Sequence, residues 1–249
     1  MSILNKKPLA LIGENPNEYI KKGFIENGFE VITLPADSRL SKPVSSHADM
    51  LIFLLDNTVF CNKAYYKSNK ALFDLIHNYG YEINVSEFLV AADYPNDVAL
   101  NQAVIGKSIL GRADSVAKSI TDYSDLHGYI YRNIKQGYAK CSTLVLNENA
   151  IISADKSVIS AARALNVDAL QIYNGASEIE LFGYDYGFIG GASAVYDNTV
   201  FFFGDITLHS QGAEITEFCK KHGFSTLSLG NKRLCDIGGA IILPYINGK

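Results

Sequence analysis

The sequence predicts a single α/β domain over 1–249, a five-bladed β/α-propeller in which five strand–strand–helix–strand (ββαβ) units form a pseudo-five-fold ring. Three observations lead to this prediction. One order of apolar strand, turn, strand, helix and strand recurs along the 249 residues. One pentapeptide is repeated in phase with that order, and the two ends of the chain together supply a split unit. Internal repeats of this length are typical of folds built from copies of one supersecondary unit.

The unit that begins near residue 140 has the clearest pattern. After an apolar run and the turn 147–149, a second strand is predicted from Ala150. Asp155 is predicted to begin a helix, because its carboxylate can accept hydrogen bonds from the first free backbone N–H groups. The apolar residues that follow have helical spacing: Val158, Ile159, Ala162 and Leu165. A third strand is predicted from Ala169.

The same order returns elsewhere in the chain. We place the five units at about 48–87, 98–134, 140–174, 190–230, and 234–249 joined to 7–35. The pentapeptide Asp-Asn-Thr-Val-Phe occupies the turn and second strand at 56–60 and again at 197–201. The two copies are 141 residues apart, or three steps of 47. This spacing fits two units that are three steps apart in a ring.

The fifth unit is divided between the two ends of the chain. Residues 238–245 form an apolar strand without a following helix, whereas residues 9–13 form a strand followed by a predicted helix from Asn17 to Asn27. Joined together, the two pieces make one complete unit and remove exposed strand edges. The alternative, a doubly wound sheet, alternates single strands with helices. In this sequence a hairpin precedes nearly every helix.

Composition excludes several classes of function. Hydrophobic residues make up 48% of the chain and charged residues 19%, which indicates a substantial core. The formal net charge is −4 and no basic stretch exceeds two residues, so we expect no nucleic-acid partner and no binding to an acidic membrane surface. No apolar run approaches the ~20 residues of a membrane span and no signal core begins the chain, so we expect a cytoplasmic protein.

The four cysteines lack Cys-x-x-Cys spacing and are expected to remain thiols. Their default role is small, buried apolar filler. Cys141 and Cys235 are also candidate nucleophiles, because a cation nearby, such as Lys140 or Arg233, would favour a thiolate. No segment has metal-ligand spacing or matches a nucleotide-binding glycine loop, so no metal and no cofactor are predicted.

A polar residue lies at each passage from hairpin to helix: Glu14, Asn62, Asp114, Asp155 and Asp205. We expect about four of these five to be helix N-caps. Asp205 is the exception we consider, because it lies four residues before His209 and such a loop would face the channel of a ring. The other interpretation of His209 is an exposed, solvated loop residue.

The segment from Gly183 to Gly191 is rich in glycine, which permits tight turns and close backbone approach. Within it, Tyr184, Asp185 and Tyr186 offer a carboxylate between two aromatic rings, an arrangement that suits a guanidinium-like cation. A rigid connection between units is the alternative interpretation.

Several motifs in the last third of the chain resemble dimethylarginine dimethylaminohydrolases, which belong to the pentein, or guanidino-group-modifying, superfamily. The residue-level resemblance covers about 188–229 and includes Gly190-Gly191, the run 200–204, the segment 212–215 and Ser225-Thr226. The whole chain also resembles an uncharacterised bacterial family related to that fold. The hairpin–helix–strand rhythm is similar to that of the non-catalytic ribosome anti-association factor. These resemblances imply the pentein fold.

The resemblance also implies a Cys nucleophile, a His acid–base and carboxylates that hold the guanidinium. The nearest match to the Gly-Gly-x-His-Cys pattern of related deiminases begins at Gly238, which puts Ile241 at the His position and Ile242 at the Cys position. If the last hairpin is aligned instead with the His-bearing hairpin of the dimethylaminohydrolases, the expected His position falls near Cys235. We therefore predict no arginine deiminase or dimethylaminohydrolase activity of the usual kind.

Three functions remain open. The first is binding of a small cationic, guanidino or amino-acid-like ligand in the central channel. The expected ligand-binding residues are Tyr184, Asp185, Tyr186, Gly190, Gly191, Asp205 and Asp236. The second is hydrolysis of C–N bonds in amidines by Cys141 or Cys235, helped by His209. The third is a protein- or ribosome-binding module.

Overall fold

The computed structural model describes residues 6–14, 18–175 and 177–246, which form a mixed α/β fold. In chain order the strands are β1 (Leu9–Ile12), β2 (Glu30–Thr33), β3 (Ile52–Leu55), β4 (Thr58–Asn62), β5 (Glu82–Ser86), β6 (Ala103–Ile105), β7 (Ser108–Gly111), β8 (Ile130–Asn133), β9 (Thr143–Asn147), β10 (Ala150–Ser153), β11 (Asp168–Gln171), β12 (Ile179–Glu180), β13 (Ser193–Tyr196), β14 (Thr199–Phe202), β15 (Ser225–Ser228), β16 (Leu234–Cys235) and β17 (Ala240–Leu243). The helices are α1 (Glu18–Glu26), α2 (Ala48–Leu51), α3 (Lys63–Ser68), α4 (Lys70–Asn78), α5 (Lys118–Leu126), α6 (Ala139–Ser142), α7 (Lys156–Ala164) and α8 (Gly212–Lys221). Two 3-10 helices lie at Lys42–Val44 and Ile206–Leu208.

Five three-stranded sheets share one topology in the described part of the chain. In each sheet the central strand pairs antiparallel with the first strand of a hairpin and parallel with a third strand that follows a helix. The split unit is present as well, because β1 pairs antiparallel with β17 and parallel with β2. The residues at the far ends of this predicted unit, 1–5 and 247–249, lie outside the described residues, as does the predicted helix start at Asn17.

The repeated pentapeptide adopts one conformation in both copies. Asp56 and Asp197, its first residues, both have φ of +50°. This left-handed backbone is what a two-residue hairpin turn requires, because its twist matches that of the flanking strands. The sequence repeat therefore corresponds to a repeated turn in two of the five hairpins.

The core lies on both sides of the central strands. β1, β4, β7 and β10 are buried along their whole length, as expected for continuous apolar strands covered on both faces. Aromatic side chains fill the space between the first sheet and the β13–β15 sheet, where Phe24 lies 5.7 Å from Phe201 and 5.7 Å from Phe203, measured between ring centroids.

Three of the five predicted N-caps are present. Asn62 accepts a hydrogen bond from the backbone N–H of Ala64, and Asp155 accepts two at the start of α7. Asp205 caps the 3-10 helix Ile206–Leu208 through the N–H of Thr207.

Of the other two candidate caps, Asp114 departs from expectation and Glu14 stays a prediction. Asp114 does not cap α5, which begins at Lys118 after a turn; its carboxylate instead binds the guanidinium of Arg112 at 2.6 Å. Glu14 precedes residues 15–17, which lie outside the described residues, and α1 begins at Glu18.

Two further features depart from the sequence prediction. The sequence predicts one helix from about Asn62 to Tyr79, but the structure has two, α3 and α4, divided at Asn69. The side-chain amide of Asn69 donates to the carbonyl of Tyr65 and competes with the helical pattern. A short parallel pair of strands, β12 and β16, was not predicted. Within the described residues, none of the helices is long and apolar enough to cross a bilayer.

Candidate functional site

Polar and glycine residues immediately precede the first strand of each of the five sheets. They come from α2 and the residue before it, from the loop before β6, from α6, and from the loops before β13 and β17. These residues are His47, Asp49, Asn101, Lys140, Cys141, Gly190, Gly191, Asp236 and Gly238, and we call them the strand-entry cluster. Their side chains and backbones meet in one buried region, as the following contacts establish.

The thiol of Cys141 lies at the centre of this cluster. Its Sγ donates to Oδ2 of Asp49 at 2.9 Å, and Nδ2 of Asn101 donates to the same sulfur at 3.1 Å. The Asn101 Oδ1 atom accepts the backbone N–H groups of Lys140 and Cys141, at 2.8 and 3.1 Å, which fixes α6 against the loop before β6. Burial, and then the charges of Asp49 and Asp236, raise the pKa of Cys141 well above its ordinary value. The thiol is therefore neutral in this structure.

Asp49 is a fully buried carboxylate that is only partly satisfied. One oxygen accepts the Cys141 thiol, whereas Oδ1 has no hydrogen-bond partner among the described residues. Burial raises the pKa of Asp49 to about 7, an effect that the ammonium group of Lys140 opposes and the charge of Asp236 reinforces. A buried carboxylate oxygen without a donor is uncommon in folded proteins and calls for a specific explanation.

Asp236 joins two loops by binding their backbones. Its Oδ1 accepts the N–H of Gly238 at 2.9 Å and its Oδ2 accepts that of Phe188 at 2.8 Å. The imidazole of His47 faces the same carboxylate, with Nδ1 3.9 Å from Oδ1. Burial raises the pKa of Asp236 and lowers that of His47. The two groups are too far apart for a hydrogen bond, and His47 Nδ1 has no other partner among the described residues.

The glycine pair before β13 is required by close packing. A Cβ atom at Gly191 would overlap the carboxylate of Asp236, and one at Gly190 would overlap the carbonyl oxygens of Lys140 and Thr143. Only glycine allows the backbone to approach these groups so closely. The N–H of Gly191 also donates to the carbonyl of Cys141 at 3.0 Å.

A cavity of about 250 Å³ borders the cluster, and we call it the channel cavity. Asp49, Lys140 and Gly238 line it beside the cluster. The first strands of all five sheets contribute to its wall, together with two residues from the loop before β6. These wall residues are Ile52, Phe53, Leu54, Leu100, Gln102, Val104, Val145, Val195, Ala240, Ile241 and Ile242. Beyond the cluster, the wall is therefore almost entirely apolar.

A second cavity of about 230 Å³ borders the cluster through Phe188, whose N–H binds Asp236; we call it the aromatic cavity. It is lined by Val44, Tyr138, Leu181, Tyr184, Asp185, Tyr186 and Phe188. The Tyr184 hydroxyl lies 2.9 Å from Oγ of Ser41, which ties the glycine-rich segment to the chain before the 3-10 helix at Lys42–Val44.

The structure brings together part of the site expected from the sequence. Cys141, Gly190, Gly191 and Asp236 all belong to the strand-entry cluster. Tyr184, Asp185 and Tyr186 line the adjacent aromatic cavity. Asp205 holds Thr207 at the 3-10 cap, with Oδ1 2.9 Å from the backbone nitrogen. Cys235 lies in β16, within an apolar cluster that includes Phe203.

His209 is not the exposed loop residue that one of the two interpretations expected. It is 3% exposed, because Glu178 and the turn at Gln211 enclose its ring. Its Nδ1 accepts the N–H of Gln211 at 3.0 Å and lies 3.5 Å from Oε2 of Glu178. The polar contacts of His209 are thus with Glu178 and Gln211, whereas the side-chain contacts of Cys141 are with Asp49 and Asn101.

Sequence reasoning missed His47, Asp49 and Asn101. Asn101 was assigned to a strand, but β6 begins only at Ala103. The signal that could have found these residues is their phase, because each lies a few residues before the first strand of its unit, where Lys140-Cys141 and Gly190-Gly191 lie in theirs. Within the described residues, no group of three or more His, Cys, Asp or Glu side chains is arranged to hold a metal ion.

Solved structures with a similar fold are guanidino-group-modifying enzymes. SxtG, an amidinotransferase from Microseira wollei in the saxitoxin biosynthetic pathway, has a TM-score of 0.62 at 11% identity, covering 98% of this chain and 95% of that one. An agmatine deiminase from C. jejuni has a TM-score of 0.58 at 9% identity, covering 100% and 96%. A mutant dimethylarginine dimethylaminohydrolase from Pseudomonas aeruginosa, complexed with citrulline, has a TM-score of 0.56 at 10% identity, covering 94% and 96%.

At these identities the likeness establishes the fold alone, and it confirms the pentein type of fold expected from the sequence. No curated protein matches the chain in sequence. The profile of a family of unknown function, DUF6873, matches residues 11–241. The chain therefore belongs to that family of unknown function, DUF6873, and has the fold of the penteins.

Proposed function

We propose that the five sheets close into a pseudo-five-fold ring and that this single domain binds a small guanidinium- or amidinium-type cation at one end of the channel. Contacts between the first strands of successive sheets support the ring: β6 contacts β9, β9 contacts β13, and β13 contacts β17. The channel cavity supports it as well, because residues from all five first strands line it.

The unpaired oxygen of Asp49 carries the proposal. This carboxylate lines the channel cavity, is fully buried, and has one oxygen without a donor among the described residues. An amidinium or guanidinium group presents paired N–H donors in one plane, which match the two oxygens of a carboxylate. A bound cation would supply the missing donor and favour the ionised form of Asp49.

The charges around Asp49 also favour a cation. Asp49 and Asp236 contribute two carboxylates, whereas Lys140 is the one cationic side chain among the described residues of the cluster. Because burial lowers the pKa of His47, that imidazole is neutral at neutral pH. With both carboxylates ionised, the cluster carries a net charge of −1, which a monovalent cation would neutralise.

The residues expected from the sequence take different parts in this proposal. Asp236 and the glycine pair fix the loops that border the site. Tyr184, Asp185 and Tyr186 line the aromatic cavity beside it. We leave Asp205 out, because its carboxylate already accepts the backbone N–H and the hydroxyl of Thr207.

The test is a calorimetric titration of the protein with butylguanidine, followed by the Asp49→Asn variant. Losing a charge-assisted hydrogen bond should weaken binding tenfold to about a hundredfold. Asp122→Asn, which changes an exposed carboxylate paired with Lys118, should bind like wild type. Asp205→Asn tests the expectation from the sequence in the same series. Equal affinity of Asp49→Asn and wild type would disprove the proposal, and so would a wild-type protein that does not bind.

The contact between Cys141 and Asp49 favours a second candidate, hydrolysis of the bound amidine. In this reaction the thiol proton passes to Asp49 while the sulfur adds to the guanidinium carbon. An amine then leaves with that proton, and water cleaves the S–C bond to release the ureido product and restore the thiol. The 2.9 Å separation of Cys141 Sγ and Asp49 Oδ2 is within the range for such a transfer.

Ammonia release from alkylguanidines tests this second candidate. Cys141→Ser should abolish the release, whereas Cys235→Ser should retain it, because Cys235 lies in an apolar cluster. Ammonia release that is unchanged in Cys141→Ser would contradict a role for this thiol. No release from any substrate would leave cation binding as the function.

A further inference from the structure

The wall of the channel cavity contains aliphatic side chains that the fold itself does not fully bury. Each of the five first strands contributes at least one that is partly buried: Leu54, Val104, Val145, Val195, and Ala240, Ile241 and Ile242 from β17. Their exposure is not a general property of the sheets. The partner residues on the central strands, such as Val59, Ile109 and Val200, are 0% exposed. Within the first and central strands of the sheets, the partly buried aliphatic side chains therefore all line the cavity.

The one polar side chain among the described residues of this wall is already satisfied. The Nε2 atom of Gln102 donates to the carbonyl of Val98 at 3.1 Å, and its Oε1 accepts the hydroxyl of Tyr131 at 2.6 Å. Away from Lys140, which lines the cavity beside the cluster, a ligand carboxylate lying along the wall would lose its water and gain no donor, which is costly. An alkyl or aryl group would instead bury its surface favourably.

The net charge of the strand-entry cluster also favours a ligand without a carboxylate. When both carboxylates are ionised, their two negative charges and the one ammonium group leave one negative charge to be balanced. An amino acid or a guanidino acid is a zwitterion and supplies no net charge, whereas an alkylguanidine supplies one positive charge. The carboxylate of a zwitterion would also add an anion near Asp49 and Asp236, and like charges repel at close range.

We infer that the ligand is an apolar monocation, with its guanidinium or amidinium head on Asp49 and a carboxylate-free alkyl or aryl body along the five-strand wall of the channel cavity. This inference rests on the proposed function and narrows it to one class of substrate. The cavity volume of about 250 Å³ lies near the lower end of the range for small-molecule sites, which suits a compact body.

A homologous series of ligands tests the inference. Calorimetric titration at pH 8 would use methyl-, propyl- and pentylguanidine, and 6-guanidinohexanoate as the comparator with the pentyl chain and a carboxylate. Burial of each added methylene should strengthen binding about fourfold. The carboxylate comparator should bind at least about tenfold more weakly than pentylguanidine, since it adds an uncompensated charge to the wall.

Two substitutions examine the wall directly. Val195→Phe fills the cavity, so it should remove the dependence of affinity on chain length. Val85→Phe makes the same change at a position 37% exposed on β5, outside the cavity, and should retain the full series. Val104→Thr keeps the shape of the wall but adds a hydroxyl, and should reduce the gain per methylene if Val195→Phe does not fold.

The outcomes separate this inference from the proposed function. If methylguanidine binds through Asp49 but all chain lengths bind equally, or 6-guanidinohexanoate binds as tightly as pentylguanidine, the inference is wrong and the proposed function stands. If none of the cations binds wild type, both are wrong. A steady gain with chain length that Val195→Phe abolishes and Val85→Phe retains would support the inference.

Discussion

Two regions of the molecule contain both a buried histidine and a buried carboxylate, and these two carboxylates differ in the donors that surround them. Glu178, beside His209, accepts the N–H of Ser210 at 2.8 Å and the hydroxyl of Ser177 at 3.1 Å. Asp49, in the cluster that contains His47, accepts one thiol and keeps an oxygen without a partner among the described residues.

The difference changes the acid–base behaviour of the two groups. Although burial acts to raise it, hydrogen bonds from Ser210 and Ser177 hold the pKa of Glu178 below its ordinary value. Burial dominates at Asp49 and raises its pKa to about 7. A carboxylate whose donors come from the protein stabilises the fold around it. A carboxylate left short of donors marks a place where a ligand can supply them.

Of the three substitutions, Asp49→Asn should produce the largest change in the pH dependence of stability. Between pH 4 and 7 folded Asp49 holds a proton that it loses in the unfolded chain, so the wild type loses stability as the pH rises through this window. The pKa difference corresponds to at most about 4 kcal/mol, and Asp49→Asn should lack this decline. Urea unfolding of both proteins at pH 4.5 and pH 8 measures it. Parallel pH profiles would contradict the raised pKa.

Gly191→Ala should have the second largest effect, a loss of stability at the strand-entry cluster. The added methyl group would overlap the Asp236 carboxylate. It would therefore push apart the two loops whose backbone N–H groups that carboxylate accepts. We expect a loss of about 3 kcal/mol in the free energy of unfolding. Gly128→Ala is the control, because no atom lies within 4 Å of the position of its Cβ. The left-handed φ of +72° at Gly128 should cost only about 1 kcal/mol. Equal losses in the two variants would contradict the prediction, because they would show that the cluster accommodates the added methyl group.

Glu178→Gln should have the smallest effect on stability, and its pH dependence should be opposite to that at Asp49. A carboxylate whose folded pKa is lowered stabilises the protein above its unfolded pKa, and this contribution disappears as the pH falls through the folded value. The amide keeps an acceptor for Ser210, so the loss at pH 7 should be about 1 kcal/mol. The variant and wild type should become equally stable near pH 3 in urea titrations. A difference that grows on acidification would refute this assignment.

The sheets could be predicted from the sequence because their signals are local. Apolar runs, turns and helical spacing lie within one unit, and the repeat reinforced them. The cluster depends on contacts between units: Asp49 and Cys141 are 92 residues apart, and Asn101 and Cys141 are 40 apart. The apolar pattern predicts a strand that begins at Asn101, which hid that residue, and Asp49 lies just before the strand predicted from Met50. The burial of His209 depends on Glu178, which lies in a segment without a periodic pattern.

The pairing of β17 with β1 sets the order in which the molecule can be completed. Synthesis proceeds from the N-terminus, so β1, His47 and Asp49 leave the ribosome long before Asp236 and β17. The first sheet lacks its hairpin partner until then, and the carboxylate that joins Phe188 to Gly238 is missing. Such long-range pairing is slow, because the entropy of closing the loop must be overcome first. Completion of the strand-entry cluster is therefore a late event in biosynthesis, and a nascent chain that stalls before Asp236 and β17 would have four finished sheets and an incomplete cluster.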